Sequence, residues 1–128
     1  MKSDGIFDAR NSLNDLTGKE WLKLTKSFWV SEKSSEDKFA LQHPAPFLLK
    51  DTIKLISMFT KRKQRVLDPF CGIGTTLLAA SRLNRKGLGI ELNPQYAELI
   101  ESRLASENAT ANQRIIVDRK STRLNSSH

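Results

Sequence analysis

The chain is poor in the residues that give small proteins covalent or metal-based stability: it has one cysteine, Cys71, two histidines and four prolines, no two of them adjacent. A lone cysteine closes no internal disulfide, and no Cys/His spacing suits zinc, so packing has to supply the stability. No apolar run approaches the roughly 20 residues needed to cross a bilayer, and no signal-peptide pattern opens the chain. A cytoplasmic protein without a membrane partner is expected. Internal repeats are absent too, which sets aside solenoids and propellers.

What is present is a moderate excess of positive charge, +7 over 128 residues. That sign is compatible with a nucleic-acid partner, because each neutralised phosphate releases counterions, but the cations are spread along the chain rather than gathered in one block. The length suits one compact domain. The final stretch, Asp118 to His128, has a single large apolar residue, Leu124, and no periodicity; it is expected to be disordered. It also resembles the translation of a short-read sequencing adapter. Residues 118–128 are therefore set aside from fold reasoning as one would a fusion scar. With Arg119, Lys120 and Arg123 against Asp118, they hold two of the seven net charges.

Residues 1–42 read as a helical lead-in. Thr17 and Glu20 have the spacing of a capping box, with Leu16 and Trp21 placed as a hydrophobic staple, and Trp21, Leu24, Phe28 and Trp29 extend the apolar side of the helix they open. A charged, serine-rich connector, Ser31 to Lys38, follows without recognisable chemistry. His43-Pro44-Ala45-Pro46-Phe47 then stiffens the backbone, and Leu48, Leu49, Ile53, Ile56 and Phe59 form the apolar face of a second helix. Lys61-Arg62-Lys63 is expected to close it at the negative end of its dipole.

From Arg65 the pattern alternates: a strand to Asp68, a helix over 75–83, a strand over 87–91, a helix over 94–104 and a strand over 114–117. Alternation of this kind implies parallel strands with crossover helices. The expected fold class is α/β: one βαβαβ half of a partial Rossmann-like fold spanning 43–117, preceded by helices.

Between the first strand and its helix lies Asp68-Pro69-Phe70-Cys71-Gly72-Ile73-Gly74-Thr75-Thr76. In a doubly wound sheet a ligand sits beyond the carboxyl ends of the strands, where this loop falls. Gly72 and Gly74 let the backbone turn tightly and approach a ligand. Glu91 closes the next strand about 20 residues on, the position of an acid that binds a ribose diol. The third glycine of a dinucleotide fingerprint is replaced by Leu77, and the Gly-Lys-Ser/Thr of a P-loop is missing. Asp68 suits an ammonium group through a charge-assisted hydrogen bond, and Ile73 and Leu92 are placed to cover an adenine. S-adenosyl-L-methionine has all three features.

These residues, together with Gly87 to Tyr96 (Gly-Leu-Gly-Ile-Glu-Leu-Asn-Pro-Gln-Tyr) and the upstream His-Pro segment, resemble the cofactor half of the adenine-N6 and cytosine-N4 DNA amino-methyltransferases. The resemblance implies that Asp68, Gly72 and Gly74 surround the methionine part of S-adenosyl-L-methionine, with Pro69 and Phe70 in the same loop. It further implies that Glu91 holds the ribose beside Leu92, and that Phe47 and Thr75 flank the site. It implies double-stranded DNA as substrate and allows a cognate restriction endonuclease as partner.

Such enzymes flip the target base and hold its amine against an Asp/Asn/Ser-Pro-Pro-aromatic loop. No such loop is found here. Asn93-Pro94-Gln95-Tyr96 lacks the second proline and reads as a helix start, Asn93 capping and Pro94 at the first helical position. The expectation is a fragment inactive by itself, with no catalytic residue of its own, whose catalytic loop lies downstream of Val117. An RNA or small-molecule methyltransferase and a non-catalytic nucleotide-binding fragment remain open alternatives.

Overall fold

The computed structural model describes residues 5–26, 30–38 and 47–118. Phe28, Trp29, the His43 to Pro46 segment and residues 119–128 lie outside them. Helix α1 covers Gly18–Leu24, α2 Leu49–Phe59, α3 Thr75–Arg82 and α4 Pro94–Ser106; strands β1 (Arg65–Asp68), β2 (Lys86–Glu91) and β3 (Gln113–Val117) alternate with the last two helices. The strands form one parallel sheet in the order β1-β2-β3. Val66 pairs with Gly87, which pairs with Gln113, and Asp68 pairs with Gly89. This is the α/β arrangement expected, with boundaries shifted by one or two residues.

The register sorts the sheet into two faces. Val66, Gly87, Gly89, Gln113 and Ile115 point inward, toward α3 and α4. Leu67, Leu88, Ile90 and Ile116 form the opposite face, where Leu67 is 61% and Ile116 41% exposed. On the inner side α3 is enclosed on two flanks. Leu78, Ala79 and Ala80 pack with Leu49 and Ile56 of α2, while Leu77 packs with Cys71, Ile100 and Leu104. Its alanines let α2 approach closely. A side chain as small as alanine leaves room for a neighbour, at the best helix propensity of any residue.

Two of the glycines in β2 serve this packing. A Cβ on Gly89 would stand 2.9 Å from the Cys71 sulfur and 3.1 Å from Leu77 Cδ1, and one on Gly87 would meet Leu77 Cδ2 at 2.6 Å. Both positions are too crowded for a real side chain, so α3 lies against β2 only because they are bare.

The described part of the lead-in makes specific contacts that its polar sequence does not announce. Asn14 is buried and donates from Nδ2 to the Met58 carbonyl at 2.7 Å, satisfying one of the carbonyls left open at the end of α2. Asp15 accepts from the Arg62 amide at 2.8 Å and lies 3.7 Å from both Lys61 Nζ and Arg85 Nη2. The basic cluster therefore does not occupy the last turn of α2, as its order along the chain implies; it lies past the Thr60 cap, and Lys63 turns the chain at a φ of 69°. Arg85 is buried beneath it, donating to Thr60 Oγ1, the Thr60 carbonyl and the Leu83 carbonyl.

Helix α1 has the capping box expected: Thr17 Oγ1 accepts from the Glu20 amide and Glu20 Oε1 from the Thr17 amide. It ends at Leu24, however, short of Phe28 and Trp29, and buries no residue of its own.

Candidate functional site

The site grows out of the way β1 hands the chain to α3. After Asp68 the chain would need to reverse within a few residues to lay α3 back along the sheet. A turn closed by the Gly74 amide on the Cys71 carbonyl, at 2.7 Å, does so. It uses left-handed backbone at both glycines, φ 53° at Gly72 and 83° at Gly74. The Cys71 amide donates to the Ile90 carbonyl at 3.0 Å, tying the loop to the end of β2.

Asp68 and Glu91 sit at the carboxyl ends of adjacent strands and on the inner face of the sheet. Asp68 accepts from Thr76 Oγ1 at 2.6 Å and from the Phe70 amide at 3.1 Å, so its first role is to brace the loop it precedes. Glu91 accepts from the Asn93 amide at 3.0 Å. A carboxylate offers about four acceptor sites, so these bonds leave both acids capacity for a ligand. Both also act on the loop from outside: burial, then the charges of Glu91 and Asp68, push the Cys71 thiol up to about 12. The region between the two strand ends is thus electronegative and suits a cation.

Around these acids the other expected residues divide. Phe47, Pro69, Phe70 and Leu92 are exposed, Phe70 at 83%. Thr75 is buried in the first turn of α3. Gly74 is more constrained than a close approach to a ligand requires: a Cβ there would stand 2.8 Å from Ile100 Cγ2 and 2.9 Å from Cγ1. Helix α4 presses on the loop from beneath. Asn93 accepts from the Gln95 amide at 2.9 Å with Pro94 in the first turn, so Asn93-Pro94-Gln95-Tyr96 is a helix start, as its spacing implies.

Three residues outside the motifs also shape this region. Asp37, in the connector, is wholly buried; its Oδ1 accepts from the Leu49 amide at 2.9 Å and its Oδ2 from the Ser34 amide at 2.7 Å. The Leu48 side chain has no acceptor with which to cap α2, and Asp37 supplies that function from 12 residues upstream of Leu49. Burial alone would raise its carboxyl, but the bonds from Leu49 and Ser34 outweigh it and hold the group below the ordinary value. Arg82 joins Glu36 and Glu107, and Arg103 reaches toward the loop itself. The only sequence signal for Asp37 is a local one, the Ser-x-x-Asp spacing with Ser34.

A sequence profile for DNA methylases that act on N6 or N4 amines matches residues 5–102. The chain belongs to the N6/N4 DNA methylase family. It is 36% identical over 107 residues to the Type II methyltransferase M2.DpnII of Streptococcus pneumoniae, covering 81% of this chain and 37% of that protein. Over a shorter span it is 51% identical to M.HindIII of Haemophilus influenzae, covering 41% of this chain and 17% of the relative. Among solved structures, TTHA0409 of Thermus thermophilus, described as a putative DNA modification methylase and complexed with S-adenosyl-L-methionine, aligns at a TM-score of 0.52. Its sequence is 31% identical, and the match covers 71% of this chain and 45% of that one. The chain thus spans less than half the length of these methylases. Within it, the loop holding Gly72 and Gly74 and the acids Asp68 and Glu91 lie at the carboxyl edge of the sheet. A separate hollow of about 600 Å³ lies by Arg65–Leu67, Lys86–Leu88 and Ala111–Arg114, at the opposite end of the strands.

Proposed function

We propose that this chain is the S-adenosyl-L-methionine-binding portion of a DNA methyltransferase that modifies the exocyclic amine of adenine or cytosine. The observation that carries the reading is the pair of acids, Asp68 and Glu91, at neighbouring strand ends on either side of a loop with two left-handed glycines. The cofactor's positive charges fit that electronegative crevice, and its ribose diol fits a carboxylate that already orders the next helix through Asn93. Asp68 and the Gly72–Gly74 loop would hold the methionine end and Glu91 the ribose, with Phe47, Pro69, Phe70 and Leu92 as the apolar rim. Thr75 supports the loop from within α3.

When bound, the cofactor supplies an activated methyl group. The residues of this chain contribute binding and orientation, which is worth several kcal/mol where a bimolecular reaction is made effectively unimolecular. The base-holding chemistry belongs to a Pro-Pro-aromatic loop that these 128 residues do not contain. In the whole protein the substrate is double-stranded DNA, the setting is the cytoplasm, and a cognate restriction endonuclease is the natural functional partner.

Titration of the chain with S-adenosyl-L-methionine by calorimetry tests the cofactor reading. Binding is expected in the wild type and weakened about tenfold or more in Glu91→Ala, since a hydrogen bond to a charged group contributes roughly 1.5–3 kcal/mol. Equal affinity in the two proteins, or tighter binding of NAD or ATP, rejects it. Transfer of labelled methyl groups by the full-length enzyme to DNA rather than to RNA tests the substrate.

A further inference from the structure

Helix α4 touches two consecutive residues of the glycine loop. Ile100 lies under Gly74, and Arg103, three positions on and so on the same side of the helix, extends a guanidinium to the Ile73 carbonyl, Nη1 to O at 3.4 Å. The other arm of that guanidinium donates to the Glu36 main-chain carbonyl at 3.0 Å. Glu36 adjoins Asp37, whose buried carboxylate holds the first amide of α2. One side chain therefore links the residue between the two left-handed glycines to the connector that fixes the start of α2, two residues beyond Phe47.

We infer that Arg103 is a positioning residue for cofactor binding: it clamps the Ile73 carbonyl and the Glu36 carbonyl together, so that the glycine loop and the start of α2 keep the spacing the cofactor needs. The assignment rests on the crevice being the S-adenosyl-L-methionine site. Only arginine makes both contacts from this position, because its planar fork directs two donors along diverging lines, whereas a lysine ammonium is a single point charge. The effect on binding runs through loop geometry rather than through a contact with the ligand. Arg82 provides the contrast. It belongs to the same charged patch, joining the Glu36 and Glu107 carboxylates, whereas the bond to the Ile73 carbonyl comes from Arg103.

The test compares Arg103→Lys with Arg82→Lys in the full 128-residue chain, using amide hydrogen exchange without ligand and calorimetric titration with S-adenosyl-L-methionine. In R103K the Gly74 amide is expected to exchange about tenfold faster, and cofactor affinity to fall roughly tenfold to 150-fold, the range for a lost bond to a charged donor. In R82K both stay within about twofold of wild type, whatever the change in melting temperature, because lysine keeps the charge beside both carboxylates and, among the described residues, Arg82 makes no bond to the glycine loop. If R103K and R82K behave alike in exchange, the clamp is overturned. If only R103K loosens the loop but neither wild type nor variant takes up the cofactor, the crevice reading fails along with the positioning role, while the mechanical link stands. Arg103→Gln, which removes the charge and falls short of the Nη positions, is the second variant; loss of the fold in both Arg103 variants would make the residue structural and overturn the proposal.

Discussion

Replacing Gly74 by alanine separates two reasons for a glycine in this loop. A glycine required only for ligand approach can be changed at little cost to the free protein. Here the cost arises without ligand. The position has φ 83°, and its Cβ would stand 2.8 and 2.9 Å from the two γ carbons of Ile100, well inside the ordinary separation of about 3.5–4.0 Å. Left-handed backbone costs a residue with a Cβ roughly 1–2 kcal/mol, and forcing a methyl group into a packed contact costs about 1–3 kcal/mol. The sum, about 2–5 kcal/mol, is a large part of the stability of a domain this size. Each kcal/mol moves the melting temperature by roughly 4–8 °C, so G74A is expected to melt at least about 8 °C lower in the absence of any cofactor. Urea unfolding of G74A, Ile100→Ala and the double variant measures the steric part directly. Removal of both γ carbons should return about 1–3 kcal/mol as coupling, while the backbone part persists. A G74A protein within about 0.5 kcal/mol of wild type, or a cycle with no coupling, refutes the packing argument.

Asp37→Ala removes the remote cap of α2 and is expected to cost about 1–3 kcal/mol in urea unfolding. The folded carboxyl lies below its ordinary value of 3.8, so the unfolded chain binds the proton more readily. Its stabilisation is present above that value and lost as pH falls through the lower folded one; unfolding measured from about pH 6 down to about pH 2.5 should show a shallower acid loss in the variant. Cys71 should resist maleimide at about pH 8 in the native protein and react fully in urea, because its thiol is buried and pushed up to about 12; rapid native labelling would refute that placement. Asn93→Ala, which removes the cap of α4, should cost about 1 kcal/mol, with Asn93→Asp close to wild type in a thermal melt.

Much of the molecule is visible in the order of its residues, because the signals that define helices and strands act over a few positions. The Thr17–Glu20 box, the Asn93-Pro94 start of α4 and the alternation from Arg65 to Val117 each depend on neighbours within one or two turns, and each appears where its spacing implies. So does the carboxyl-edge placement of Asp68, the two glycines and Glu91, which follows from parallel strands joined by helices. Family membership could be read from the same run of residues. The end of α1 at Leu24 shows the limit of such signals: apolar spacing toward Phe28 did not prolong the helix that far.

The tertiary structure alone decided what faces what. Nothing local distinguishes Arg103 from other charged residues in a polar stretch, and only a short Ser-x-x-Asp spacing marks Asp37. Yet one bridges two carbonyls far apart in the chain and the other is buried at the head of a helix 12 residues away. Gly74 reads as a ligand-facing glycine until Ile100 is seen beneath it, and Gly87 and Gly89 read as a strand motif until Leu77 and Cys71 occupy their space. The physical reason is that periodicity assigns a residue to a face of its own element, whereas its partner across the core is set only when every element packs at once under excluded volume.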